Sequence, residues 1–244
     1  MDDSRTVQWR RDASTSRTVR LLWSFGVGTF LAMVGLIVFW RLFDLAGQLG
    51  TPSALAFGLS ITPPQAVIGA ALAALAATIL AFAAAGDAER RLERLTRSLP
   101  ITPPSGAGLR QAADAAVGMV VMGAVIGLLM VGGRVASQHE LLAVGAGPFT
   151  GLAALLLPLA VVAIVLSAFL QSVGALDVDE RTIYLYDPEE AVDLEHIEAV
   201  SVRRLGDATV LKLSYAQPDG QYVQGPRRLV VPPEVAREVQ ALVE

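Results

Sequence analysis

The chain has 244 residues, 53% of them hydrophobic, a net charge of −4 and no cysteine. Disulfides, zinc–thiolate sites and cysteine nucleophiles are therefore excluded, and no basic stripe interleaved with aromatics points to nucleic acid. The length leaves room for a small membrane bundle and one small soluble domain.

Residues 1–20 read as a polar tail carrying Arg5, Arg10, Arg11, Arg17 and Arg20. Four apolar segments follow, at Leu21–Phe43, Gln65–Ala85, Ala112–Gly133 and Phe149–Val173. Each is near the ~20 residues needed to cross a ~30 Å hydrocarbon core as a helix. The first is too long, and too far from a small-residue cleavage site, for a removed signal peptide. Its ends are marked by Trp23 and Trp40, since indole favours the interface. With Arg20 they are candidate interface anchors.

The connections alternate in arginine. The connection after the first segment holds only Arg41, the next holds Arg90, Arg91, Arg94, Arg97 and Arg110, and the third holds only Arg134. Cytoplasmic loops retain positive residues. The pattern predicts a multi-pass protein of the cell membrane with both termini cytoplasmic.

Thr62-Pro63-Pro64 opens the second segment: Thr suits an N-cap, and Pro is tolerated in a first turn. Gly69, Ala73 and Ala77 then recur at four-residue spacing, as do Gly123 and Gly127 in the third segment, with Gly118 and Gly132 near that stripe. Small residues at that spacing let backbones approach, so the second and third helices are expected to pack tightly. Asp87–Arg97 reads as an extension of the second helix with i, i+4 ion pairs; Arg90 and Arg91 there are further interface anchors. Ile61–Pro64 and Ile101–Pro104 share Ile-Thr-Pro-Pro, which reads as repeated helix-start chemistry. Pro158 falls inside the fourth segment, where proline kinks are tolerated.

No ionisable residue lies in the middle of a span. Charges at depth mark ion paths and proton relays, so their absence argues against a pump or a proton-coupled carrier. His139 and Glu140 are neighbours in an outer loop, short of the three or four donors of a metal site. No metal, cofactor or catalytic residue is assigned.

After Gly174 the pattern changes to alternation. Leu176 and Val178, then Ile183 and Leu185, predict a half-buried hairpin turning at Glu180-Arg181. Val192 and Leu194, Val200 and Val202, and Thr209–Tyr215 continue as strands. Gln217-Pro218-Asp219-Gly220 fits a turn, and Tyr222–Gln224 with Arg228–Val231 supply the return. Pro232-Pro233-Glu234 opens a helix with Val235, Val239 and Leu242 on one stripe. The fold class is thus a four-helix membrane bundle (21–173) followed by a small antiparallel β domain with a closing helix (174–244). His196 lacks the positioned partners that a catalytic base needs.

The runs Leu176-Asp-Val-Asp-Glu-Arg-Thr-Ile-Tyr-Leu-Tyr, Val192-Asp-Leu-Glu-His-Ile-Glu-Ala-Val and Leu229-Val-Val-Pro-Pro-Glu resemble a prokaryotic pleckstrin-homology-like (PH-like) domain attached to membrane helices. The resemblance covers under a third of the chain and implies a sheet capped by a helix. The region offers five or six strands where the family commonly has seven. Residues 176–244 carry fourteen Asp or Glu against six Arg and one Lys, a net −7. Attraction to an anionic leaflet is then unfavourable, and a protein partner or a second copy bound through 174–244 is expected. Lys212 is the single lysine among nineteen basic residues. With the acidic domain, that resembles proteins of halophilic archaea; a GC-rich bacterial genome would also favour arginine. Function is expected to be non-enzymatic binding or scaffolding, with a subunit of a transport or channel assembly as the alternative. The bilayer is a partner in either case.

Overall fold

The computed structural model describes residues 5–50, 54–56, 59–85, 106–138, 147–216 and 225–243. Among these are four long apolar helices: α1 (Arg17–Gly47), α2 (Pro63–Ala84), α3 (Gly106–Gln138) and α4 (Gly147–Phe169). By length and composition all four can cross a membrane. Strands β1 (Thr6–Arg11), β2 (Ala54–Ala56), β3 (Leu59–Ile61), β4 (Ser172–Asp177), β5 (Thr182–Tyr186), β6 (Glu189–Asp193), β7 (Ile197–Leu205), β8 (Ala208–Tyr215) and β9 (Arg228–Val231) are joined by a closing helix, α5 (Pro233–Val243). The extension at 87–97, with Arg90 and Arg91, lies outside the described residues, as do His139, Glu140, Ile101–Pro104 and the 217–224 connection.

The chain divides into two compact units, Leu22–Val165 and a second made of Met1–Leu21 with Leu166–Glu244. The first is the helical unit. Thr62 N-caps α2, and its side chain accepts from the Gln65 N–H while the Gln65 side chain accepts from the Thr62 N–H. That reciprocal pair satisfies two orphan donors of the first turn. The Thr62 hydroxyl also donates to the Ala46 carbonyl and Gln65 Nε2 to the Phe43 carbonyl. A small apolar cluster of Ala32, Met122 and Ile126 lies between α1 and α3, with Leu156 of α4 against it.

α2 and α3 pack against each other, as expected, and a close backbone approach in this unit joins α1 and α3. A Cβ built on Gly28 would strike the Gly118 backbone, and one on Gly118 would strike the Ser24 carbonyl, with Ser24 Oγ only 2.7 Å away. Ser24 Oγ donates to the Asp114 carbonyl at 2.6 Å. Gly26 likewise admits α4, since its Cβ would lie 2.5 Å from Ile164. Gly118 lies beside the small-residue stripe of α3, whereas the four-residue positions themselves sit elsewhere. Among the described residues nothing is within 4 Å of a Cβ at Gly69 or Gly127, and Gly123 meets Ala32 at 3.9 Å. Ala73 and Ala77 are exposed on α2, which has no buried residue. Gly118→Leu is therefore expected to lower the thermal midpoint of the detergent-solubilised protein strongly, because a backbone has no room to yield. Gly127→Leu, facing open space, should change that midpoint little.

The second unit is the β domain, and its composition differs from the sequence expectation. Residues 1–20 were expected as a tail, yet Thr6–Arg11 form a strand. β1 pairs antiparallel with β4 along six residue pairs, from Thr6↔Asp177 to Arg11↔Ser172. The alternation explains it: Trp9 and Arg11 turn inward while Gln8 and Arg10 face out. The fourth span, expected to reach Val173, ends at Phe169, and Ser172 and Val173 already belong to β4. Gly174 is needed there because a Cβ would meet Trp9 at 2.7 Å and the Tyr184 carbonyl at 2.5 Å.

The sheets are two meanders, β1-β4-β5-β6 and β7-β8-β9. Their inward residues form one core: Trp9, Leu176, Ile183, Leu185 and Val192 from the first, Leu211, Leu213, Tyr215, Leu229 and Val231 from the second, and Leu194 from the 3-10 turn between them. Val235, Ala236 and Val239 of α5 close it.

Candidate functional site

The densest polar constellation among the described residues is built where the chain leaves β1 for α1 and returns from α4 to β4. Arg11, the last residue of β1, is only 5% exposed. Burying a guanidinium is costly unless all its donors are paired. Here Nε donates to the Leu170 carbonyl (3.1 Å), Nη1 to the Asp207 carbonyl (2.7 Å), and Nη2 to Asp207 Oδ1 (2.6 Å) and Ser16 Oγ (2.8 Å).

Asp207 stands at the tip of the β7–β8 hairpin. Leu205 pairs with Ala208, so Gly206-Asp207 is a two-residue loop. Gly206 has φ +64° and Asp207 does not have positive φ. That pattern is a type II′ turn, whose first central position demands glycine. A Cβ at Gly206 would also lie 2.6 Å from Thr18 Oγ1. Gly206→Ala is expected to destabilise the hairpin on both counts, read as faster hydrogen exchange of β7 and β8 amides.

The Asp207 carboxylate accepts from the Arg17 N–H at 2.9 Å and from Ser16 Oγ at 3.0 Å. Ser16 in turn accepts from the Val19 N–H at 3.2 Å, as an N-cap should. A carboxylate over the first turn of α1 complements the positive end of the helix dipole. Burial raises the Asp207 carboxyl, but hydrogen bonds from Thr18, Arg11 and Ser16 and the Arg11 charge outweigh it and hold it well below the usual range. Asp12 follows the same logic in the preceding turn. Burial raises it, and bonds from Ser14 and Arg10 with the Arg10 charge bring it to about 2. One hairpin tip thus grips the end of β1 and the cap of α1, and Arg11 in turn holds the carbonyl of the residue following α4.

The outward surface of the domain is different in character. β7 pairs only with β8, leaving its other edge without a strand among the described residues. Val202 and Leu205 on it are exposed, and so are Arg203 and Arg204. Tyr184 and Tyr186 are exposed on β5. Tyr184 donates to Glu180 Oε2 at 2.9 Å, and that bond with the Glu180 charge raises its phenol.

The remaining sequence candidates are scattered. Trp40 is exposed and Trp23 half-buried, seventeen residues apart on α1. At ~1.5 Å per residue that is about 26 Å, close to the hydrocarbon thickness. Trp23 Nε1 is buried without a partner among the described residues. Arg20 is exposed in the first turn of α1. His196 is exposed in a single 3-10 turn, with Asp193 Oδ2 at 3.3 Å. No group of three or more His, Cys, Asp or Glu is gathered as a metal site among the described residues. Arg11 and Asp207 were not singled out from sequence. The Gly-Asp pair between two alternating runs was the available signal for the turn, and nothing local links it to Arg11.

Comparison with models of known families, with curated proteins and with solved structures finds no match.

Proposed function

We propose that this is a multi-pass cell-membrane protein whose β unit is a cytoplasmic PH-like module for binding or scaffolding another protein, without catalysis. The observation that carries it is the make-up of that unit. A meander of four strands, a meander of three and a closing helix match what the PH-like resemblance implies, once β1 supplies the strand that 174–244 lacks. On this reading the four membrane helices are an insertion between the module's first and second strands.

The cytoplasmic address rests on the arginine alternation. The β1–β4 pairing supports a shared side for the two ends of the bundle, because paired strands share a compartment and the chain must cross an even number of times between them. The near-absence of lysine and the acidic domain favour a halophilic archaeal source. The partner surface is the open edge of β7, where backbone groups await pairing and Val202, Leu205, Arg203 and Arg204 supply side-chain contacts. That mixture suits a protein with an extended, partly acidic segment, or a second copy of the chain.

A photo-crosslinking residue at Ser201 or Val202, irradiated in native membranes, tests this. The expected result is a discrete protein adduct that is absent when the same residue replaces Gln8 on β1. Equal or absent adducts at the two places would overturn the assignment of the β7 edge.

A further inference from the structure

The helical unit contains an open cleft of about 620 Å³, within the range of roughly 300–1,000 Å³ typical of ligand pockets. It is walled by Met33 of α1, Ile126, Leu129 and Met130 of α3 and Phe149 of α4. On α3, Ile126, Met130 and Arg134 follow at four-residue steps, and so do Leu129, Gly133 and Ser137. Such rows share one helix face. The face is therefore apolar at its start and polar at its end. Arg134 is the one charged residue among those lining the cleft, and it is exposed. Ser137 and Thr150 accompany it.

Length decides what fits. From Ile126 to Ser137 is eleven residues, about 16 Å along the helix. That is close to half of the ~30 Å hydrocarbon core, the depth of one leaflet. Arg134 then falls near the interface and Ile126 near the bilayer middle. A cation beside hydroxyls above a leaflet-deep apolar groove complements an anionic headgroup above its chain. The flexible thioethers of Met33 and Met130 suit a chain without fixed shape.

We infer that this cleft is a binding site for one anionic phospholipid, its hydrocarbon chain along α3 and its phosphate on Arg134. This is independent of what the β unit binds.

The test uses the full-length protein in nanodiscs doped with phosphatidylglycerol or phosphatidylcholine carrying a photoreactive acyl chain, with labelled peptides mapped by mass spectrometry. Phosphatidylglycerol is expected to label 126–137 and 149–154 well above Val67–Leu80 of α2. Arg134→Gln, at an exposed position, should cut the preference for phosphatidylglycerol over phosphatidylcholine roughly tenfold, the scale of one charge-assisted contact. Ala154→Phe, exposed within the cleft, should suppress labelling of 126–137 by both lipids. Uniform labelling of all helices, or labelling unmoved by both variants, would overturn the site. Competition by soluble glycerol phosphate would also overturn it, because the site would then take a free anion and not a lipid.

Discussion

Asp207→Ala is expected to destabilise the β unit by about 2–4 kcal/mol. Removing one partner of a buried ion pair typically costs ~3–5 kcal/mol, because the other charge is left without compensation. The Asp207 side chain is 38% exposed against 6% for Arg11, so screening lowers the expectation by about 1 kcal/mol from that range. The loss also strips the first turn of α1 of the carboxylate that accepts from Arg17 and Ser16. Urea unfolding followed by Trp9 fluorescence, in a Trp23→Phe/Trp40→Phe background, would read the effect. The double variant Arg11→Met/Asp207→Ala should lose less than the sum of the singles, since each single leaves the remaining residue of the pair stranded.

The pH dependence of this contact has a definite sign. The folded Asp207 carboxyl titrates lower than its unfolded counterpart near ~3.9, so the ionised form is the one the fold stabilises. Its contribution is fully present above the unfolded pKa and is lost as pH falls through the folded one. Asp12, at about 2, acts in the same direction. The unit should hold constant stability from pH 8 to pH 5 with respect to these groups and weaken in stronger acid, and Asp207→Ala should flatten the acid limb.

The second large effect is Trp9→Ala, expected to cost ~3–5 kcal/mol as a buried aromatic truncation. Trp9 is 6% exposed, lies over Gly174 and donates from Nε1 to Ser172 Oγ at 3.3 Å. It is the main core residue that β1 contributes, so its loss should release the whole strand and bare the edge of β4. Exposed strand edges pair with other chains. A fragment of residues 174–244 should accordingly aggregate, and joining residues 5–12 to its start through a flexible linker should restore protection of the β4 and β5 amides from hydrogen exchange.

Much of the architecture was legible because its signals are local. A span shows in uncharged length, the Thr62-Pro63-Pro64 start in capping chemistry, and the β4–β5 hairpin, β8 and α5 in periodicity. The misses are non-local. Val7, Trp9 and Arg11 alternate with Gln8 and Arg10, but the strand's partner lies more than 160 residues away, and its arginines read first as an orientation signal. Arg10 faces water, whereas Arg11 is buried in the clamp; no spacing rule separates them. Small-residue stripes mark α2 and α3 as a packed pair, which they are, and Gly118 lies beside the α3 stripe; its partner on α1, Gly28, is the part of the close approach that the stripes miss. The lipid-sized cleft needs three helices at once and has no linear motif.

The central claim is that one β domain is assembled from both ends of the membrane bundle. The chain has no native cysteine, so a pair can be placed cleanly. Gln8 and Ala175 are direct cross-strand partners, and such partners have Cβ atoms ~4.5–5.5 Å apart, near disulfide reach. Gln8→Cys/Ala175→Cys would be introduced with a protease site between Arg97 and Ser98, oxidised in membranes, cleaved and run without reductant. The two fragments should migrate as one band that reductant splits, while Gln8→Cys/Glu190→Cys should give two bands. Separate fragments for the Gln8/Ala175 pair under oxidising conditions would contradict the account.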